Sequence, residues 1–557
     1  MNLWDALTRE HYNRGSLHCW RDTQFETASW AEVVADARRV AHELRQLGVQ
    51  RGSRVATVLS NSRDAVRGVL GVWLAGGTLA SLPAPARGMD LEDYRDQLRE
   101  LAGHVGPCVF AIDEQLRDLV PTLPEGPRPV SWQSLDGATR LDPSPPELDE
   151  LAFIQYSSGS TGRPKGCMLT PRAIAAQLEI IRTAMDGEPG REQVCSWLPL
   201  SHDMGLFGCL LYAWAWDCDL TLSSPQRFMV APRTWFADMA ESGCTQTAGT
   251  SSALHFATRA QRAARLPQRL RLRTLVIGAE RIEAQTLDAA LDVFGASGLL
   301  PSALCPAYGL AEATLAVTAT PTGQAPRVRS LDSAALTAGE VREARDGDVG
   351  AMTLVSLGKP CPGVELRFPE LGGVSELHVR SPSMFRGYYA QPEMTRERLR
   401  DGELATHDLG FLHDGELYLV GRSDDVLSVG GRKVYTHEIE AAVGGLDGVR
   451  RGCCAIVEVP GRRTPHLTML LELRDGHASF EDVAAAAART ATAKAGITLS
   501  ECVFLEKDAL PKTSTGKIQR FRCRELLLSE RLVPLRRIST GSAQPGTSTH
   551  EPKATGA

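Results

Sequence analysis

The sequence predicts an α/β fold with a large N-terminal domain and a small α+β C-terminal domain. Apolar, strand-like runs alternate with segments of helical periodicity through about the first 400 residues. Shorter alternating segments around 376–379 and 416–420 then indicate a small β subdomain. A polar turn at 421–425 precedes a further mixture of strands with one helix, which indicates a second domain.

The individual elements follow from the period of the apolar residues. Helical spacing runs from Trp30 to Leu47, the run 54–59 predicts a strand, and 65–75 predicts a helix. Further strand-like runs at 195–200 and 275–278 continue the alternation, which is typical of βαβ-type sheets. A second-domain helix is predicted over 480–495.

Four parts of the chain are expected from these boundaries. They are a large N-terminal domain over 1–421, a hinge over 422–425, a small C-terminal domain over 426–538, and a tail over 539–557. The tail consists mostly of Gly, Ser, Thr, Pro and Ala and has almost no apolar anchors, so it is predicted to be disordered.

Composition and charge restrict the class of protein. With 557 residues, of which 43% are hydrophobic, the chain can bury a sizeable core. The net charge of -6 gives no basic surface for nucleic acid, and no apolar stretch approaches the roughly 20 residues of a membrane span. The first residues lack a signal-peptide pattern, so we expect a cytoplasmic protein. Thirteen cysteines without metal-ligand spacing suit reduced, mostly buried thiols and imply no structural zinc.

A glycine- and hydroxyl-rich loop follows the apolar run 151–156. Bare backbone N–H groups in such a loop can approach phosphate oxygens, while Ser, Thr and Lys side chains complete the cradle. Lys165 stands between a proline and a glycine, which excludes the Walker A pattern and disfavours a P-loop ATPase. The predicted phosphate-binding residues are Ser157, Ser158, Gly159, Ser160, Thr161, Gly162 and Lys165.

Five motifs in order resemble the adenylate-forming superfamily of acyl-CoA synthetases, peptide-synthetase adenylation domains and luciferases. They are the phosphate loop, YGLAE at 308–312, HDLG at 407–410, GRSD at 421–424, and the segment around Lys517. Within that superfamily the chain is most similar to the fatty acyl-AMP ligases. Three features carry this narrower resemblance: SHDMGL at 201–206, AYGLAEATL at 307–315, and an apparent insertion at 331–339.

The resemblance implies a role for each motif residue. Lys517 would bridge the substrate carboxylate and the α-phosphate, Glu312 would hold Mg²⁺, and Asp408 would accept hydrogen bonds from the ribose hydroxyls of ATP. Arg422 would lie beside the ribose, and Asp424 would be the hinge about which a mobile small domain rotates. The expected adenine-binding residues are Gly278, Ala279, Glu280, Ala307, Tyr308 and Gly309.

The acid is expected to bind beside two further segments. By resemblance, His202 is a candidate catalytic residue at the mouth of the acyl pocket, with a purely structural histidine as the alternative. The expected pocket residues are Asp203, Met204, Gly249 and Ser251. The segment 247–256 is rich in small residues and offers no obvious carboxylate for an α-ammonium group, which disfavours an amino acid, although Asp203 could be such a partner.

Three positions depart from the subfamily's pattern. His407 replaces the glycine of the usual Thr-Gly-Asp, Ile277 stands where an asparagine is common, and the stretch 431–440 is closer to CoA ligases and adenylation domains. These departures suggest a divergent member that serves a specialised biosynthetic assembly line.

Three hypotheses about function stay open at this point. The first is an acyl-AMP ligase that loads an acyl carrier protein. It is favoured because, in the fatty acyl-AMP ligases that this chain resembles, the insertion is thought to hinder the use of CoA as acceptor. The second is an acyl-CoA or aryl-CoA ligase with the same first half-reaction. The third is a catalytically silent binding homologue, which the presence of Lys517, Glu312 and Asp408 disfavours.

Overall fold

The computed structural model describes the whole chain except residues 10–13, 86–90, 122–125, 158–164, 263–265, 267, 346–350, 370–372, 424–425, 430–431, 460–465, 475, 477–478, 513–517 and 541–557. The chain forms two compact units, Met1–Val426 with Lys512–Gln519 and Leu427–Pro511 with Arg520–Ala557. Both units combine helices with sheets, so the predicted α/β class is confirmed. The predicted domain limits and the hinge role of 422–425 stay predictions.

The helices of the larger unit are α1 (Leu3–Leu7), α2 (Trp30–Gln46), α3 (Arg63–Leu74), α4 (Leu91–Val105), α5 (Pro171–Ala184), α6 (Asp203–Gly205), α7 (Tyr212–Ala215), α8 (Pro225–Val230), α9 (Thr234–Ser242), α10 (Ser251–Gln261), α11 (Ala284–Phe294), α12 (Ser333–Thr337) and α13 (Pro392–Arg398). A π-helical turn, Leu206–Leu211, joins α6 to α7. Side-chain caps start several of these helices: Ser29 and Glu32 form a capping box on α2, and Thr250 accepts a hydrogen bond from the Ala253 N–H at the start of α10.

The strands of the larger unit are β1 (Ser16–Arg21), β2 (Gln24–Ser29), β3 (Arg54–Thr57), β4 (Thr78–Ser81), β5 (Val109–Ile112), β6 (Pro129–Ser131), β7 (Phe153–Ser157), β8 (Lys165–Leu169), β9 (Gln193–Ser196), β10 (Asp219–Leu222), β11 (Gln246–Gly249), β12 (Thr274–Ile277), β13 (Leu304–Gly309), β14 (Ala316–Ala319), β15 (Val328–Asp332), β16 (Ala351–Val355), β17 (Lys359–Pro360), β18 (Glu365–Arg367), β19 (Ser375–Arg380), β20 (Leu399–Arg400), β21 (Glu403–His413) and β22 (Glu416–Arg422).

Two large sheets dominate the larger unit. One has the order β6-β5-β3-β4-β7-β8, with only β8 antiparallel to its neighbour. The other has the order β17-β14-β13-β12-β11-β9-β10-β1-β2, with a parallel centre from β13 to β1. Strands β18 to β22 form the expected β subdomain, and β15 and β16 pair separately as a two-stranded sheet. The apparent insertion at 331–339 includes the end of β15 and helix α12.

Apolar side chains cover both faces of the six-stranded sheet. Val55, Leu79 and Phe153 lie in the main core, which also contains Leu220 and Leu275 of the nine-stranded sheet. The next residue along each of those three strands faces the opposite side and packs with Tyr94 and Leu98 of α4 in a separate core. The alternation places every second residue of β3, β4 and β7 in the interior of the unit.

The elements from Val426 onward are β23 (Val426–Val429), β24 (Arg432–Tyr435), α14 (Thr436–Gly444), β25 (Val449–Val459), β26 (His466–Leu473), α15 (Phe480–Ala495), β27 (Glu501–Leu505), α16 (Arg520–Leu528) and β28 (Pro534–Ser539). Strands β25 to β28 form a four-stranded sheet with its own apolar core. The predicted helix over 480–495 is confirmed as α15. Residue 539, the first of the predicted tail, is the last residue of β28, and 541–557 lie outside the described residues.

Cysteines and membrane-spanning potential complete the description. All thirteen cysteines are free thiols, and every one except Cys108 is buried, as predicted. Within the part of the chain that the structure describes, no helix has the length and apolar character needed to cross a bilayer.

Candidate active site

The predicted phosphate loop closes a β-hairpin. Strand β7 ends at Ser157, β8 begins at Lys165, and these two residues are partners in the antiparallel ladder. The loop therefore leaves the C-terminal end of β7, at the edge of the parallel strands where ligands of α/β sheets bind. Five of the predicted loop residues lie outside the described residues: Ser158, Gly159, Ser160, Thr161 and Gly162. The side chain of Ser157 also lies outside the described part of the chain.

Glu312 is oriented by a tyrosine that the sequence analysis missed. Tyr388 Oη donates a hydrogen bond to Glu312 Oε1 at 2.8 Å, across 76 residues of chain. The Lys165 Nζ lies 5.8 Å from the centroid of the same ring. Burial and the charge of Glu312 raise the pKa of Tyr388, so the phenol stays protonated and keeps donating. No local motif marks Tyr388, because its role depends on a contact distant in sequence.

The segment 202–204 contains two adjacent titratable side chains, His202 and Asp203, which are both partly buried. Burial and the charge of Glu312 raise the pKa of Asp203 to about 6, against the effect of the Met204 N–H, which donates to Asp203 Oδ1 at 2.7 Å. Burial lowers the pKa of His202 to about 4. The imidazole is therefore neutral at pH 7 and can hydrogen-bond to a substrate without adding positive charge. Met204 itself is buried.

Tyr308, Asp408 and Arg422 come together at the end of β13. The Tyr308 Oη donates to Asp408 Oδ2, and the Arg422 Nε lies 3.4 Å from Asp408 Oδ1. Asp408 and Arg422 are also partners in the ladder between β21 and β22. Burial and the Asp408 carboxylate raise the pKa of Tyr308 well above its ordinary value. The three side chains predicted to surround the nucleoside are thus one connected group.

His407 stands where the resembling subfamily has a glycine, and its backbone adopts a conformation that favours glycine. Its φ angle is 63°, in the left-handed region that L-residues rarely occupy. The His407 N–H donates to Glu376 Oε1 at 2.7 Å, and the Asp408 N–H donates to Thr406 Oγ1 at 3.0 Å. These contacts hold the irregular part of β21, where its pairing with β19 shifts register, so the histidine keeps the backbone path that glycine would take and still presents Asp408 to Tyr308.

The segments around Gly278 and Gly309 bring backbone close to backbone. The Gly278 N–H donates to the Gly249 carbonyl at 3.1 Å, and Ala279 has a φ angle of 65°. Glu280 accepts a hydrogen bond from the Ser252 N–H in the first turn of α10. A Cβ on Gly309 would lie 2.1 Å from the Leu315 carbonyl oxygen, which excludes any side chain there.

The predicted acid-binding residues Gly249 and Ser251 lie at the end of β11 and the start of α10. A Cβ on Gly249 would lie 2.4 Å from the Trp235 ring, so Trp235 packs directly on that backbone. Ser251 is buried. Ala307 pairs with Ala319 in the ladder between β13 and β14, and Ile277 is fully buried at the end of β12.

Two predicted residues of the reaction cycle, Lys517 and Asp424, lie outside the described residues. Among the described residues, no group of three or more His, Cys, Asp or Glu side chains is arranged to hold a metal ion. Six of the residues that the structure does place form two contact groups: Glu312 with Tyr388 and Lys165, and Asp408 with Tyr308 and Arg422.

A family model and individual relatives with similar sequences indicate the same family. The model of the AMP-binding enzyme family matches residues 6–389. The chain is 30% identical over 550 residues to "Long-chain-fatty-acid--AMP ligase FadD26" of Mycobacterium marinum, covering 91% of this chain and 92% of that protein. It is 29% identical over 540 residues to "4-hydroxyphenylalkanoate adenylyltransferase" of the same organism, covering 90% and 86%.

Solved structures share the fold. A structure from a study of fatty acyl-adenylate ligases from E. coli and L. pneumophila matches with a TM-score of 0.84 at 24% identity, covering 95% of this chain and 98% of that one. The adenylation and carrier-domain structure of McyG, complexed with phenylalanyl-adenylate, matches with a TM-score of 0.80 at 22% identity, covering 96% and 84%.

Proposed function

Because this chain belongs to the AMP-binding enzyme family, we propose that it is an acyl-AMP ligase. It uses ATP and Mg²⁺ to activate a carboxylic acid as acyl-AMP with release of pyrophosphate. It then transfers the acyl group to the phosphopantetheine thiol of an acyl carrier protein. The acid is a fatty acid or another acyl acid, in keeping with relatives named for long-chain fatty acids and 4-hydroxyphenylalkanoates.

The observation that carries this proposal is the contact group of Glu312, Tyr388 and Lys165. A carboxylate that attacks the α-phosphorus of ATP meets a polyanion, so the enzyme must neutralise charge on both reactants. Lys165 supplies a cation at the base of the phosphate loop and lies over the ring of Tyr388, whose hydroxyl donates to the Glu312 carboxylate. Mg²⁺ suits this carboxylate, since the ion needs only one or two carboxylates besides phosphate oxygens, and when bound it offsets the phosphate charge.

Asp408 has the capacity to bind the ribose as proposed. An ionised carboxylate offers about four acceptor positions. Tyr308 donates to Oδ2 and Arg422 approaches Oδ1, so the carboxylate that is proposed to accept the two ribose hydroxyls is held in place. Lys517 is proposed to bridge the substrate carboxylate and the α-phosphate during adenylation, with Asp424 as the hinge for the second half-reaction.

One feature of the chain favours a second candidate, an acyl-CoA or aryl-CoA ligase. The stretch 431–440 is closer to CoA ligases and adenylation domains than to the fatty acyl-AMP ligases. The two candidates share adenylation and differ only in the thiol that accepts the acyl group, so acceptor choice separates them.

The test is acid-dependent pyrophosphate release over a panel of fatty, aromatic and amino acids. Mass analysis in the same tubes then follows the fate of the acyl group with CoA or with a phosphopantetheinylated carrier protein. We expect acyl-carrier product and no acyl-CoA. Acyl-CoA would assign the protein to the ligase alternative, and absence of pyrophosphate with every acid would support the silent homologue.

A further inference from the structure

Several side chains of the larger unit bury an oxygen that makes no hydrogen bond among the described residues, and four of these oxygens lie on neighbouring segments. These atoms are Thr57 Oγ1, Ser81 Oγ, Gln155 Oε1 and Ser201 Oγ. The four residues are 0%, 1%, 2% and 3% exposed, respectively. Buried polar groups in native proteins are almost always hydrogen-bonded, so each such atom calls for a partner.

The four residues belong to one place in the fold. Thr57 is the Cα partner of Ser81, and Ser81 is the partner of Gln155, across the adjacent parallel strands β3, β4 and β7. Residues in register on neighbouring strands point to the same face of the sheet. The Gln155 Nε2 donates to the Ser201 carbonyl at 2.9 Å, which brings the fourth residue to the same position.

That face is the interior of the unit. Val55, Leu79 and Phe153 precede the three strand residues by two positions and therefore share their face, and all three lie in the main core. The polar residues stand at the C-terminal ends of the strands, the edge where α/β sheets bind ligands. Gln155 lies two residues before the start of the phosphate loop, and Ser201 immediately precedes His202 and Asp203.

The chemistry of the four groups selects an oxygen ligand. Three hydroxyls can each donate and accept, whereas the amide oxygen of Gln155 can only accept. A water or alcohol hydroxyl satisfies both kinds of partner, which a methylene group does not. We propose that Thr57, Ser81, Gln155 and Ser201 form a buried pocket for an oxygen-bearing group. The group is an ordered water or, on the premise of the proposed function, a hydroxyl carried by the acid.

Thermal unfolding of the full-length protein tests whether these oxygens are hydrogen-bonded to a group in the pocket. Thr57→Val and Ser81→Ala remove two hydroxyls with little change of shape. Thr353→Val is the control, because Thr353 is exposed on β16 and its hydroxyl contacts water in both the folded and the unfolded chain. We expect Tm to fall by a few degrees for the first two variants and to stay or rise for the control. A stable or raised Tm in Thr57→Val and Ser81→Ala would overturn the pocket, since removing truly unpaired hydroxyls stabilises a core.

Pyrophosphate release with decanoic acid and its isomeric hydroxydecanoic acids separates the two sources of the oxygen. A water pocket gives lowered Tm values without preference among the acids. An acid hydroxyl gives at least about a fivefold preference in kcat/KM for one isomer. Ser81→Ala then loses that preference, and Thr353→Val keeps it. Absence of pyrophosphate with every acid rejects the proposed function, and the Tm comparison still decides whether the pocket holds water.

Discussion

A single phenol orients the carboxylate that is proposed to hold Mg²⁺. In Tyr388→Phe the 2.8 Å hydrogen bond to Glu312 is lost, so the carboxylate can turn away from the metal. We expect kcat/KM for pyrophosphate release to fall about tenfold, with a higher Mg²⁺ concentration at half-maximal rate, as for other residues that support a metal ligand. Steady-state assays over a Mg²⁺ titration measure both effects.

The neighbouring tyrosine supplies the control for this prediction. Among the described residues, Tyr389 Oη donates to the Val105 carbonyl, at 3.4 Å, and makes no hydrogen bond with Glu312. Tyr389→Phe should leave the Mg²⁺ dependence unchanged. An unaltered Mg²⁺ titration in Tyr388→Phe as well would contradict the role given to Glu312.

Substitutions of His407 test whether the backbone is strained at that position. With φ at 63°, His407→Gly removes left-handed strain but adds chain entropy to the unfolded state, so stability should change by less than about 1 kcal/mol. His407→Val should destabilise by about 1–2 kcal/mol, because a β-branched residue fits that region poorly. Thermal unfolding measures both variants. Equal stability of the Gly and Val variants would show that the backbone of β21 is not strained at this position.

The sequence indicated candidate site residues but not the distant side chains that contact them. Glu312, Asp408 and Tyr308 stand in motifs that resemble a known family, and their positions follow from local pattern. The Tyr308–Asp408 bond joins residues 100 apart, and the Tyr388–Glu312 bond joins residues 76 apart. Such contacts depend on sheet order and register, which no local motif specifies.

At the scale of elements, one carboxylate ties three strands of the β subdomain together. Glu403 on β21 receives hydrogen bonds from His378 and Arg380 on β19 and from Arg367 on β18, at 3.0, 3.1 and 3.0 Å. The His378 bond, followed by those from the two arginines, lowers the pKa of Glu403 from 4.5 to about 2. The charged form is therefore favoured in the folded state.

This shift gives a pH-dependent prediction. A depressed carboxyl pKa stabilises the fold above the unfolded value of 4.5 and loses that effect as the pH falls toward 2. Glu403→Gln should lower stability at pH 7 by about 1 kcal/mol, a value reduced for solvent screening. The difference from wild type should narrow below pH 4.5. Thermal unfolding at pH 7, 5 and 3.5 tests it, with the exposed Glu365→Gln on β18 as control; a gap that is constant with pH would contradict the assignment.

The success of the element predictions depended on how local their signals are. Helix α15 has the predicted limits, 480–495, because periodic apolar residues lie between a Ser479 cap and Gly496 in left-handed conformation. Strand β3 ends at Thr57 although the apolar run continues to Leu59. Val58 and Leu59 are buried outside the regular strand, so their hydrophobicity alone did not mark its end. The antiparallel turn from β7 to β8 likewise depends on non-local pairing.

At the scale of the whole molecule, the proposed reaction needs Lys517 in the first half-reaction. Lys517→Ala removes the cation that is proposed to bridge the carboxylate and the α-phosphate. We expect acid-dependent pyrophosphate release to fall at least about 100-fold, with the Kd for ATP changed less than about threefold. Lys512→Ala is the control in the same segment. An unchanged rate of pyrophosphate release in Lys517→Ala would refute the assigned role.

Rotation of the small domain should affect the rate of the second half-reaction, the transfer of the acyl group. Asp424→Pro fixes φ at the proposed hinge, whereas Asp424→Ala removes the same carboxylate and leaves the backbone free. If rotation follows adenylation, Asp424→Pro should form acyl-AMP at a near-normal rate and transfer the acyl group at least about tenfold more slowly. Asp424→Ala should perform both steps. Rapid-quench measurement of acyl-AMP and acyl-carrier product resolves the steps, and an equal loss of both in the proline variant would mean that the hinge serves folding or adenylation rather than a change between two domain arrangements.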